Sequence, residues 1–145
     1  MSRAYASTVL AAPVETVWKV VGDYGAIADW LPALASCTLE DGHGNRAVGS
    51  VRTLLLADGG GIVRERLLRL DDIERSYSYC FVDSPFPVRS YVSTIRCSPV
   101  TDQGHTFVEW YAAFDTAATL VDELTTTFGD GVFASGLAAL HERSW

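Results

Sequence analysis

The chain has 145 residues, a formal charge of −7 and 48% hydrophobic residues. That length suits one domain spanning 1–145, and the apolar content is too high for a disordered segment. The acidic balance argues against nucleic acid and anionic membrane surfaces as partners, and no apolar run reaches the roughly 20 residues of a membrane span.

Arg3 to Leu10 reads as a strand. Pro13 then suits the first turn of a helix, where its missing N–H costs little. Val14, Val17, Trp18 and Val21 repeat at the spacing of one helical face, and Gly22 can end it. A second short helix is expected from Asp23, carrying Ile27, Trp30 and Leu31 inward and stopped by Pro32.

From Ala35 to Asp115 short β-rich runs alternate with turn residues. The turns are Asp41–Asn45, Ala57–Gly61, Asp83–Pro87 and Thr101–Gly104. This punctuation predicts antiparallel strands near 35–41, 47–56, 62–71, 75–83, 89–99 and 106–115. From Thr119 to Ser144 helical period returns, with Leu120, Leu124, Phe128, Phe133, Leu137 and Leu140 roughly on one face. The drift around Gly129 and Gly131 predicts a bend or a close approach to the sheet.

A seven-stranded antiparallel sheet must cover one face, and a single long helix is available to cover it. The sheet must therefore curl around that helix. The concave volume left over is filled by large side chains or remains a cavity for a small molecule.

Strand alternation assigns the faces. A hairpin closed by 57–61 with Leu56 opposite Val63 puts Arg52, Leu54, Glu65 and Leu67 on one face, and the two arginines Arg64 and Arg66 make the other face the solvent side. Tyr77, Tyr79 and Phe81 share one face of their strand, Tyr91, Ser93, Ile95 and Cys97 one face of the next, and Trp110, Ala112 and Phe114 one face of the last. Three readings of Glu65 stay open. It is a general acid or base assisted by Tyr91 and Arg52, or half of an Arg52–Glu65 ion pair that orders the sheet, or a solvent residue if the register slips by one. Phe86, between two prolines, is expected at the rim as a lid, a partner contact or an ordinary folded-back ring. Trp110, Phe128 and Phe133 are the large rings whose packing decides how much hollow remains.

The three cysteines show no CxxC spacing, and the three histidines lie far apart, so neither a metal site nor a cofactor is expected. Reduced thiols and an N-terminus without a secretory pattern suit a cytoplasmic protein. The triple glycine Gly59–Gly61 lacks the Lys-Ser/Thr of a phosphate-binding loop.

The order strand, two short helices, six strands, long helix resembles the START/Bet v 1-like helix-grip superfamily, in particular its bacterial polyketide cyclase/dehydratase-like branch. The residues that carry the likeness are Ala12–Trp18 with Asp23-Tyr24, Trp30-Leu31-Pro32, Val48–Arg52, Val63–Leu67 leading to Leu70-Asp71-Asp72, Pro85–Val88 and Gly136–Leu140. The resemblance implies an α+β helix-grip fold: a curved seven-stranded sheet around a C-terminal helix, with two short helices between strands 1 and 2. It implies a hydrophobic, cyclic or polyketide-like ligand in an internal cavity. Plant abscisic-acid receptors are similar across the middle of the chain. That likeness implies loops closing the cavity at 57–61 and 84–88, an acid at Glu65, and a lining that includes Tyr79, Tyr91, Ser93 and Trp110. The expected roles are therefore catalytic for Glu65, Tyr91 and Arg52, and ligand-binding for Leu54, Tyr79, Ser93, Trp110, Phe86 and Phe128. Three functions follow: a cofactor-free cyclase or dehydratase, a carrier or sensor without catalysis, and a protein-interaction module using the two loops.

Overall fold

The computed structural model describes residues 1–40 and 42–145. Asp41, the last residue of the strand expected at 35–41 and the first of the turn after it, lies outside the described residues. The strands are β1 (Ser2–Leu10), β2 (Leu34–Leu39), β3 (Val51–Leu56), β4 (Ile62–Asp71), β5 (Ser76–Asp83), β6 (Arg89–Val100) and β7 (His105–Asp115). They form one antiparallel sheet in the order β1-β7-β6-β5-β4-β3-β2. Strands β2 to β7 follow one another as hairpins, and β1 closes on β7 at the far edge. Crossing from β1 to β2 are helix α1 (Val14–Val21) and a 3₁₀ helix, Tyr24–Asp29. This is the α+β helix-grip arrangement.

Alternation explains which face is inside. Along β7, Thr106, Val108, Trp110, Ala112 and Phe114 are buried, and the residues between them are only half-buried. The start of β3 and its register with β4 differ from the sequence reading. Residues 47–50 turn instead of extending: Ser50 N–H donates to the Ala47 carbonyl at 2.9 Å, and Gly49 takes a φ of 92°. In addition, β3 and β4 pair two residues away from the expected register. Leu54 stands opposite Val63, and Arg52 opposite Glu65. The 57–61 loop is tighter than expected, because Leu56 N–H already donates to the Gly61 carbonyl at 3.0 Å. An even shift preserves side-chain parity, so every face assignment in the hairpin survives it.

The C-terminal helix is continuous but not uniform. A 3₁₀ turn, Ala118–Leu120, leads into α2 (Val121–Thr126), a π-helical stretch, Thr127–Ala134, and α3 (Ser135–Glu142). Phe128 and Phe133 are five residues apart and both buried. A π turn closes i to i+5, so the wider stretch keeps both rings on the sheet side where an α-helix would rotate one away. Gly129 and Gly131, where a bend or a close approach to the sheet is expected, both fall in this stretch. Gly129 rides over β1, and a Cβ built on it would lie 3.8 Å from the Tyr5 backbone. Lower down, the helix grips β7: Phe133 stacks on Trp110 with ring centres 4.6 Å apart.

Candidate functional site

Between the concave face of the sheet, the 3₁₀ helix and the π stretch lies a cavity of about 50 Å³. A cavity of this size holds a few waters or the head of a ligand. Its walls are aliphatic and aromatic, with Glu65 the one carboxylate among them. Outside it, between the 57–61 loop, the 84–87 loop and the π stretch, is an open vestibule of about 570 Å³. Ala33, Leu56, Phe86 and Val132 line both spaces and form the wall between them.

Seven of the nine expected site residues line the cavity: Leu54, Glu65, Tyr79, Phe86, Tyr91, Trp110 and Phe128. Arg52 and Ser93 lie behind that surface, each 0% exposed. Eight further lining residues were not named as site residues, Phe81 and Val132 among them. The signal for Phe81 was present, since it shares a face with Tyr77 and Tyr79. Val132 was hidden by the π geometry, which no α-helical period reveals.

Glu65 is held from one side only. Arg52 Nε donates to its Oε1 at 2.9 Å, and Arg52 Nη2 lies 2.7 Å from the same oxygen without hydrogen-bond alignment. Oε2 accepts no hydrogen bond from any described residue, and it is not among the fully buried unpartnered atoms. Burial raises the Glu65 carboxyl above the ordinary value of 4.5, and the attraction and hydrogen bond of Arg52 oppose that rise.

The guanidinium is in turn fixed by aromatic residues. Its Nη1 donates to the Tyr24 carbonyl at 2.8 Å. Its carbon lies 4.1 Å from the ring centre of Tyr24 and 4.8 Å from that of Tyr79. Such contacts stabilise a cation where water is absent. Tyr24 also braces the carboxylate's own strand, donating its O–H to the Glu65 carbonyl at 2.9 Å. Arg52 is thus held by Glu65 and its cage through Nε and Nη1, with Nη2 buried and making no aligned hydrogen bond.

A second polar group sits on β5 to β7. The Trp110 indole N–H is shared between Tyr79 Oη at 3.2 Å and Ser93 Oγ at 3.1 Å. The Ser93 hydroxyl donates in turn to the Tyr111 carbonyl at 3.0 Å. The Tyr91 hydroxyl lies beside those of Tyr79 and Ser93, and burial raises both tyrosines well above the ordinary phenol value. Both therefore stay protonated. The Tyr91 ring stacks on Phe81 with centres 3.7 Å apart.

At the rim, Phe86 is folded back. Its ring packs 5.1 Å from Phe128 and 6.0 Å from Phe81, half-buried. The loop is pinned by Thr116, whose hydroxyl donates to the Pro87 carbonyl at 2.8 Å. Among the described residues, no cluster of His, Cys, Asp and Glu could hold a metal ion. No described helix is long and apolar enough to cross a membrane.

A curved sheet gripping a helix over an aromatic-walled hollow defines a helix-grip protein. The chain belongs to the family described as polyketide cyclase/dehydrase and lipid transport, which matches residues 1–144. A protein from Thermobifida fusca, solved in solution, is 36% identical, with a TM-score of 0.88 over 99% of this chain and 93% of that one. The protein XoxI from Bacillus cereus is 33% identical, with a TM-score of 0.87 over 98% of this chain and 94% of that one. The di-domain ARO/CYC BexL of the BE-7585A biosynthetic pathway shares the fold at 18% identity, with a TM-score of 0.80 over 98% of this chain and 46% of that one.

Proposed function

We propose that the protein binds a hydrophobic, cyclic or polyketide-like small molecule across the cavity and vestibule and acts on it as a cofactor-free cyclase or dehydratase. The observation that carries this reading is the one-sided fixation of Glu65. Arg52 holds Oε1, and Oε2 is left as an acceptor among apolar walls. A carboxylate in that state can take a proton from a ligand carbon or hydroxyl and return it elsewhere. Tyr91 and Tyr79, both protonated, can donate to oxygen that gains charge. Arg52 does not reach the ligand and acts as a positioning residue for Glu65. Membership of a family described by both cyclisation and lipid transport supports the reading.

A second reading is a carrier without catalysis. The buried ion pair favours it, because a carboxylate already paired is a weaker base than a free one in the same place. The experiment begins with native mass spectrometry of the purified protein and extraction of any compound that travels with it. Turnover of that compound by the wild type and by Glu65→Gln separates the readings. Loss of turnover with binding retained supports the enzyme. Binding without turnover in either form supports the carrier.

A further inference from the structure

The cavity's ligand class can be narrowed by its charges, an inference that rests on the cavity reading above. We infer that the ligand is an uncharged molecule with an apolar body and one hydroxyl, and that this hydroxyl enters first and donates to Glu65 Oε2.

No Lys, Arg or His lines the cavity or the vestibule among the described residues. The nearest cation, Arg52, is 0% exposed and committed to Glu65 and Tyr24. The carboxylates on the route are Asp58 in the vestibule and Glu65 inside. A ligand carboxylate would therefore meet the Asp58 charge at the rim and, inside, an apolar hollow with no cation free to pair it.

A ligand cation fares better at the rim and worse inside. The Arg52–Glu65 pair is neutral as a unit, so an ammonium placed against Oε2 adds a net positive charge to an apolar hollow. Its desolvation is then offset by half of a carboxylate that another cation already holds. A neutral hydroxyl avoids both penalties. It satisfies Oε2 with a charge-assisted hydrogen bond and buries no net charge. Size points the same way: the 50 Å³ inner space takes a small polar head, and the 570 Å³ vestibule takes the larger apolar remainder once Phe86 and Val132 yield.

The test uses four molecules of one shape: para-butylphenol, butylbenzene, para-butylbenzylamine and para-butylbenzoate. Their affinities for the wild-type protein are measured by calorimetry at neutral pH. The indole N–H resonance of Trp110, which lines the cavity, reports whether each enters. The expected result is that the phenol binds tightest, about tenfold tighter than butylbenzene, and shifts the Trp110 resonance. The amine and the benzoate bind more weakly than the phenol. The double variant Arg52→Met/Glu65→Leu, which removes the charges together and leaves neither unpaired, is expected to bind phenol and butylbenzene equally. An amine or a benzoate that matches the phenol overturns the inference and leaves the cavity reading standing. So does a phenol that gains nothing over butylbenzene, or that leaves Trp110 unmoved. If none of the four binds, the cavity reading fails and the inference falls with it.

Discussion

Arg52 and Glu65 stand directly opposite each other on β3 and β4, and the guanidinium approaches a single carboxylate oxygen with two nitrogens, at 2.9 and 2.7 Å. The cross-strand register fixes this pair before any ligand arrives. It also leaves the second oxygen without a partner among the described residues. One-sided pairing orders a buried acid and leaves one of its oxygens without a partner among the described residues.

Removing one partner should cost far more than removing both. Arg52→Leu leaves Glu65 buried without its counter-charge and is expected to lower stability by about 3–5 kcal/mol. Arg52→Met/Glu65→Leu should lie much closer to the wild type. Urea denaturation of the single and double variants checks this. A double loss equal to the sum of the losses in Arg52→Leu and Glu65→Leu would mean that the two groups are not coupled.

Two glycines of the C-terminal helix should respond in opposite directions. A Cβ on Gly136 would lie 2.6 Å from Leu31 Cδ1 and 3.0 Å from Trp110 Cζ3. Gly136→Ala therefore overpacks the grip and is expected to destabilise by about 1–3 kcal/mol. Gly131 has nothing within 4 Å of its Cβ position and is exposed. Gly131→Ala should stabilise by about 0.5–1 kcal/mol through the helical backbone alone. Thermal denaturation of both variants reads the two signs directly.

Much of this architecture was legible in the residues. The alternation in β7 and the paired tyrosines of β5 give the inner face without any coordinates. The face of Glu65 was legible too, because the error in the β3–β4 register was two residues and parity was kept. What the sequence hides is depth and width. Arg52 and Ser93 share the inner face with Glu65 and Tyr91, yet Tyr24 and Tyr79 enclose the Arg52 guanidinium and the Trp110 indole caps Ser93, and alternation cannot see such layers. The cavity shrinks to 50 Å³ because Phe81, Phe86, Phe128 and Tyr91 pack against one another, a tertiary outcome of four separate elements. The π stretch has no distinct sequence period, and the five-residue step from Phe128 to Phe133 is its one trace.

Phe86 should govern entry more than affinity. Its ring belongs to both the inner and the outer space and is held by contacts with Phe81 and Phe128. Phe86→Ala removes the movable part of that wall. The expected outcome is faster association of para-butylphenol, followed by stopped-flow tryptophan fluorescence through Trp110. Stability should fall by less than the about 3–5 kcal/mol of a fully buried Phe→Ala change, because the ring is only half-buried. An unchanged association rate would place the entry route elsewhere.

Two carboxylates give the stability a pH dependence of opposite sign. Glu40 accepts from Arg64 Nε at 2.6 Å and from Thr53 Oγ1 at 3.1 Å. The Arg64 hydrogen bond, with that of Thr53, lowers its carboxyl from 4.5 to about 2. The unfolded chain then binds a proton more readily than the folded one. The contribution of Glu40 is full above pH 4.5 and is lost as the pH falls toward about 2. Glu65 runs the other way: burial raises its carboxyl, so the folded chain binds the proton more readily, and its contribution fades as pH rises from 4.5 through the raised value. Urea midpoints of the wild type and Glu40→Gln across the acid range separate the two. The wild-type advantage over Glu40→Gln should be constant above pH 4.5 and close as the pH approaches 2. A gap that persists undiminished at the acid end would mean that Arg64 does not hold Glu40 in solution. The bridge that ties β2–β3 to β4 on the outer face would then contribute nothing to the fold.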